Sequence, residues 1–317
     1  MSMLLTSRWT GAAHLEAART RLGEIDVDHL YLGLLAVGGH AARTLGAHGV
    51  SLTSARQRVR ESLASDLAAL GLDVPDAVLP APKAARDLDF ADWRASGPAH
   101  DLVAAQAKAR GGTCAALLAL IDESSGVVRR LLIADGVDPD VLAAELAGVP
   151  GEPDAERVPA DPGLLPPPAR ATRIRHYLSS PPDAVGDALA DPALLSAWAY
   201  DPAKAEIGGA GETIRHRHGR KKLTLRVHHT RRREGEADVV TWIQEMVDGP
   251  HPGQPLRYDR FAIVAAPGGA ELVHTGGQRS FGVLGRLAAP FTGWISGVGM
   301  TYSAHRIGME IADRQAG

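Results

Sequence analysis

Apolar positions downstream of Ser51 recur three or four residues apart, at Leu52, Ala55, Val59, Leu63, Leu67 and Leu70. That period puts one stripe on a helix, with the Ser51 hydroxyl placed to cap its first amides. Asp138 followed by Pro139 is a cap and first-turn pair that opens a second helix through Val141, Leu142 and Leu146. The chain carries this helical period up to about residue 149. Beyond about 170 the period shortens. Residues 171–178 roughly alternate apolar with polar, as a half-buried strand does. Ser180-Pro181-Pro182-Asp183 starts a helix whose apolar face runs through Val185 and Leu189. Asp191-Pro192 restarts a short helix carrying Leu194, Leu195 and Trp198. Strands are predicted over 205–218, 221–230, 237–247, 257–266 and 270–280, with Pro267-Gly268-Gly269 as a tight turn between the last two. From about Leu284 to Gln315 the pattern is helical again, with Pro290 as a break.

An internal repeat constrains the helical part further. Arg43, Leu45, Gly49 and Val50 recur at Arg130, Leu132, Gly136 and Val137, a constant offset of 87. Each Gly-Val step predicts a helix C-cap in which glycine supplies the left-handed conformation. Two equivalent helical units sharing one core imply an all-α, pseudo-twofold domain over 1–149. Seven of the 21 prolines lie between Pro150 and Pro168, in a stretch without apolar period. Dense proline removes amide donors and favours extended conformers, so 150–169 reads as a semi-rigid linker. The remainder, 170–317, is then a second, α+β domain.

A length of 317 residues supports two domains, and 45% apolar with 22% charged residues excludes a mainly disordered chain. Of the 14 aromatic residues only Trp9, Tyr31, Phe90 and Trp93 precede residue 150, so the two halves are packed on different plans. A net charge of -3 argues against a general nucleic-acid binder. The single cysteine, Cys114, excludes an internal disulfide framework and a Cys-rich zinc site, and fits a reducing cytoplasm. No run approaches about 18 apolar residues, so no membrane partner is expected. The first residues lack the basic-then-apolar order of a signal peptide. The expected location is cytoplasmic.

The first helical unit reads Asp26-Val27-Asp28-His29-Leu30-Tyr31-Leu32-Gly33-Leu34-Leu35, followed by an Ala-Arg-x-Leu turn and Gly-Val. It resembles the Clp N-terminal repeat, whose motif is G-T-E-H-L-L-L-G-L-L followed by G-V-A-A-R-V-L and L-G-V. The second unit, Gly112-Thr113-Cys114-Ala115-Ala116-Leu117-Leu118, matches less closely, and the resemblance covers about 4–148. It implies the double repeat that docks substrates and adaptors in front of the ATPase rings of Clp unfoldases. In some relatives the acids at the helix start grip a phosphorylated arginine. A carboxylate can take a guanidinium in a bidentate pair and a thiol cannot, so Asp28-His29 keeps that option and Cys114-Ala115 does not. Asp28 and His29 can equally be capping and local packing groups. The phenylalanine that opens each repeat in the family is Phe90 in the second unit, matched by Leu5 in the first. Some peptide antibiotics dock near those aromatics in relatives. The resemblance thus assigns peptide binding to Leu5, Asp28, His29, Phe90 and Thr113. No G-x-x-x-x-G-K-[ST] occurs, so there is no phosphate-cradling loop and no motor.

The run S-P-P-x-x-V-x-x-x-L-x-D-P-x-x-L-x-x-W, from Ser180 to Trp198, resembles the opening of START-like proteins. These are the superfamily of polyketide cyclases, plant allergen-type carriers and heat-shock ATPase activator homologues. The element order over about 170–315 agrees. The resemblance implies a helix-grip fold, a curved sheet wrapped around the last helix with an internal cavity. Trp198, Trp242, Tyr258 and His274 are expected to line it, and Phe291, Trp294 and Tyr302 to roof it. The alternative is that these residues pack a filled core.

Residues 213–233 hold nine Lys or Arg, four His and no acid. They form either a positive surface for an anionic partner or a solvated hairpin, because Leu223, Leu225 and Val227 alternate with Thr224, Arg226 and His228. His216 and His218 share a strand face, but no third ligand has metal spacing, and neighbouring arginines repel cations. There is no nucleophile elbow, Rossmann glycine pattern or H-E-x-x-H. No catalytic residue, metal or cofactor is expected. The reading is a non-catalytic protein of two binding modules. The Clp-type domain would take peptides, protein clients, Clp protease components or cyclic peptide antibiotics, as adaptor or decoy. The START-like domain would hold a small apolar ligand. The alternatives are a cyclase- or hydratase-type enzyme localised by the repeat, and a co-chaperone.

Overall fold

The computed structural model describes residues 3–20, 24–71, 94–109, 112–149, 151, 155–199, 205–208, 213–218, 221–248, 251–280, 299–301, 303–312 and 314. Eight helices among them precede the first strand: α1 (Met3–Thr20), α2 (Val27–Val37), α3 (Gly39–Ala47), α4 (Leu52–Ala69), α5 (Gly97–Ala109), α6 (Thr113–Ile121), α7 (Val127–Ala134) and α8 (Pro139–Ala147).

The offset seen in the sequence reappears as one helix ending used twice. Gly49 and Gly136 have φ of 83° and 78°. The Val50 amide donates to Leu45 O at 3.0 Å, and the Val137 amide to Leu132 O at 2.9 Å. A residue without a β-carbon turns left-handed after each helix and lets the next amide satisfy a terminal carbonyl. The caps of the following helices are the same distance apart: Ser51 accepts from the Ser54 amide, and Asp138 from the amides of Asp140 and Val141. One core runs through both units and includes Trp9, Leu30, Leu34, Leu117 and Leu132. The α4 stripe is buried only over Leu52, Ala55 and Val59, and Leu70 is 76% exposed.

Eight strands follow: β1 (Glu156–Val158), β2 (Ala169–Leu178), β3 (Ala205–Gly208), β4 (Thr213–His218), β5 (Lys221–Glu234), β6 (Ala237–Met246), β7 (Pro255–Ala266) and β8 (Gly269–Arg279). They form one sheet in the order β1-β2-β8-β7-β6-β5-β4-β3, and every pairing is antiparallel. Between β2 and β3 lie α9 (Pro182–Ala190), a 3-10 turn (Pro192–Leu194) and α10 (Leu195–Trp198). Residues 303–312 are helical. The chain is therefore mixed α+β, with helices first and an antiparallel sheet after them.

Two sequence expectations change. The single strand predicted over 205–218 is two strands paired with each other, Ile207 opposite Ile214; Gly208, Gly209 and Gly211 are the signal for the interruption. The linker predicted over 150–169 contains β1, which pairs with β2, and Leu165, which is 1% exposed beside Ala171 and Tyr258. A three-residue strand and one buried leucine have no period to detect, so proline density alone was legible there.

The inner face of the sheet carries Ile174, Val240, Trp242, Phe261, Ile263 and Leu272. It packs against Val185 and Leu189 of α9 and against Met300, Ala304, Ile307 and Ile311 of the last helix. The helical region meets the other side of β2. β1 pairs only with Ala171, Thr172 and Arg173, leaving the rest of that strand edge to another neighbour. The α2–α3 junction fills the place. Gly38 has φ 80°, and a β-carbon there would fall 2.1 Å from Tyr177 O. His176 Nε2–H donates to Val37 O at 2.9 Å, and the Leu52 amide donates to Ser179 Oγ at 2.9 Å. Arg56 Nη1 donates to Ala312 O at 2.8 Å, tying α4 to the last helix. Tyr177 packs into the helical core. An unpaired strand edge is a template for aggregation, and here helices cover it.

Candidate functional site

Strand register assigns each inner-face side chain to a row. One row runs His229, Trp242, Asp259, Gly276 and Thr172; the next runs Arg231, Val240, Phe261, His274 and Ile174. Partners in antiparallel strands share a face, so Asp259 and His274 sit one row apart on the same side. Asp259 Oδ1 accepts from His274 Nε2 at 2.9 Å, and their side chains are 3% and 1% exposed. Arg257 Nη2 donates to the same oxygen at 2.8 Å from a side chain that is 45% exposed. The Phe261 ring stacks on His274 with centroids 4.2 Å apart. The Trp242 indole stacks on His229 at 4.5 Å and donates Nε1–H to Leu189 O of α9. Gly276 leaves a gap in the row that Met300 occupies, since a β-carbon there would lie 3.1 Å from the sulfur.

Electrostatics sort the charges. Burial opposes ionisation of Asp259, but the Arg257 guanidinium and the His274 hydrogen bond outweigh it and hold the carboxyl below the usual carboxylate range. Burial pushes His274 down more than the Asp259 carboxylate pulls it up, so the imidazole is neutral near pH 7. A neutral imidazole has one proton, and the ionised Asp259 takes it at Nε2. Nδ1 is then a bare acceptor. It is buried and has no hydrogen-bond partner among the described residues. The cluster can receive a proton donor at one nitrogen and holds a balanced charge pair behind it.

Of the residues expected to line a pocket, Trp242 and His274 are brought to the same inner face. Tyr258 is not. It pairs with Gly277 and lies on the opposite face, in a small cluster with Leu165 and Ala171. The Asp161 amide donates to its hydroxyl. Strand alternation separates it from His274, which the sequence grouping ignored. The side chain of Trp198 and all of Phe291, Trp294 and Tyr302 lie outside the described residues. Sequence reasoning missed Asp259 and Arg257. The signal was there: Asp259, Phe261 and Ile263 alternate, so an acid falls at an inward position of an apolar strand.

The residues assigned to peptide binding are mostly engaged locally. His29 is fully buried, and its Nδ1 accepts from the Asp26 amide as half of a capping box for α2. Thr113 is 1% exposed, and its Oγ1 accepts from the Ala41 amide of the other unit at 3.0 Å. Leu5 packs partly buried against the helical core. Asp28 keeps a 27% exposed carboxylate that accepts from the His29 amide. Phe90 lies outside the described residues. Cys114 is buried and is not in a disulfide. In the basic segment, Leu225 and Val227 point inward while Arg226 and His228 are exposed. Arg226 pairs with Glu245, and Arg231 bridges Asp187 and Asp238. Among the described residues, no cluster of three metal-ligating side chains occurs, and no helix is long and apolar enough to cross a membrane.

No family model and no curated protein matches the chain. Among solved structures it is similar to protein Ms6760 from Mycobacterium smegmatis, at 16% identity and a TM-score of 0.32, over 50% of this chain and 95% of that one. Protein MLL2253 from Mesorhizobium loti matches at 16% identity and a TM-score of 0.30, over 46% and 98%. Protein CV1439 from Chromobacterium violaceum matches at 12% identity and 0.29, over 42% and 97%. Likenesses at that level identify neither a family nor an activity.

Proposed function

We propose that the chain is a binding protein of two modules: a Clp-type helical docking unit, without a motor, joined to a START-like helix-grip region that holds a small, largely apolar molecule. The observation that carries the second part is the inner face itself. Its apolar rings, Trp242 and Phe261, flank a buried polar pair, Asp259 and His274, which is the make-up of a ligand site with a few orienting groups. The helical part rests on the Clp resemblance and on the cap repeated at an offset of 87. Of its assigned contacts that are described, Asp28 is the one with a partly exposed carboxylate for a peptide guanidinium. A second reading, proton-transfer catalysis of the cyclase or hydratase kind, is favoured by one observation, the acid that orients His274.

The test uses the full chain purified from its own lysate, denatured, and extracted for small molecules, with calorimetric titration of the intact chain against cyclic peptides and phosphoarginine. A stoichiometric extract supports the grip reading, and heat with either peptide probe supports the docking reading. An empty extract together with no heat removes both.

A further inference from the structure

We propose that His274 Nδ1 anchors a neutral hydrogen-bond donor, an O–H or N–H, of the molecule held on the inner face, and that Asp259 is the positioning residue that turns the ring to receive it. The inference deepens the grip reading and rests on it. Buried acceptors are nearly always satisfied, and an exception points to a water or a ligand group that belongs there. Nδ1 of His274 is such an exception among the described residues. With Nε2–H committed to Asp259, that nitrogen offers only a lone pair. A ligand carboxylate offers only lone pairs in return, and it would meet the Asp259 charge 2.9 Å behind the ring. An ether or ketone has no donor. A cation is disfavoured by Arg257, which is already paired to Asp259. A neutral hydroxyl or N–H is what remains.

The surroundings fix the rest of the molecule. The Phe261 ring against His274 and the Trp242 indole in the neighbouring row are flat apolar walls. Met300, over the side-chain gap at Gly276, is unbranched and able to yield to a ligand. Arg257, half-exposed in the row beyond Asp259, marks the side open to solvent.

The probes are 2-naphthol, its methyl ether and 2-naphthoate, which share one flat body and differ in donor and charge. Calorimetric titration of the full chain is expected to give at least tenfold tighter binding of the naphthol than of either analogue. His274→Phe should erase that preference while the ether still binds. Nitrogen-detected NMR of histidine-labelled protein should find a pyridine-like Nδ1 that shifts with naphthol and not with the ether. Asp259→Asn should weaken naphthol binding and mix the two ring tautomers, a change that loss of packing alone would not produce. Equal affinities, tightest binding of the naphthoate, or an Nδ1 signal already hydrogen-bonded to water and unmoved by naphthol would overturn the proposal. If no probe binds but the purified chain still yields a small molecule on extraction, this proposal fails and the grip reading stands.

Discussion

Two residues at the sheet centre show how position overrides composition. Asp259 sits in a run, Arg257 to Arg260, that reads as solvent-facing charge. Register instead turns Asp259 inward beside His274. Removing its carboxylate strands a buried N–H and breaks the ion pair with Arg257. Asp259→Ala is therefore expected to cost about 1–3 kcal/mol of stability, read as a lower urea midpoint at unchanged slope. Gly136 makes the opposite point, since its role was legible: a Gly-Val step recurring at fixed offset named the left-handed cap, and φ is 78°. Gly136→Ala should cost about 1–2 kcal/mol, and the matching change at Gly49 about the same. At His29 the sequence left two readings open, partner binding and capping, because it follows an acid at a helix start; the closed first turn, with its capping box, decides for the cap.

At the scale of elements, long periodic segments were readable and short or shared ones were not. The limits of β5 to β8 lie close to those the alternation predicts, because each strand has an apolar face against α9 and the last helix. β1 escaped, being three residues long within dense proline. The split between β3 and β4 escaped because alternation continues on either side of the glycines. The contact between the α2–α3 junction and β2 leaves no trace in either segment's pattern; only Gly38 hints at a close approach. Gly38→Ala puts a β-carbon into the Tyr177 carbonyl and strains a left-handed residue. Its expected effect is faster amide hydrogen exchange along Ile174–Leu178, with the distant β5–β6 pairing unaffected. Unchanged exchange in β2 would mean the helices do not guard that edge.

For the molecule as a whole, buried histidines set the response to acid. His305 on the last helix is pushed well below its ordinary value of 6.5, by burial first and then by His176 and Arg8 close by. The His176 and His305 rings lie 4.7 Å apart where helices and sheet meet. His274 is lowered too. The unfolded chain takes up protons at these positions below about pH 6.5, while the folded chain resists them. Their contribution is thus fully present above that pH and is lost as pH falls below it. Urea midpoints are expected to hold from pH 7.5 to about 6.5 and to drop from there to pH 5.5, and His305→Phe should flatten the drop; a midpoint independent of pH below 6.5 would contradict the assignment.

The covered edge of β2 also bears on how the chain is made. Arg173 pairs with Thr275, so β2 emerges from the ribosome about a hundred residues before the strand that completes it. Throughout that interval the nascent sheet has no neighbour on that side to bond with. The helices that will guard the opposite edge are already synthesised and rich in local contacts, the kind of unit that folds early. The amino-terminal helices are thus made before the strand edge they cover, and that edge is the first of the two that the order of synthesis allows to be closed.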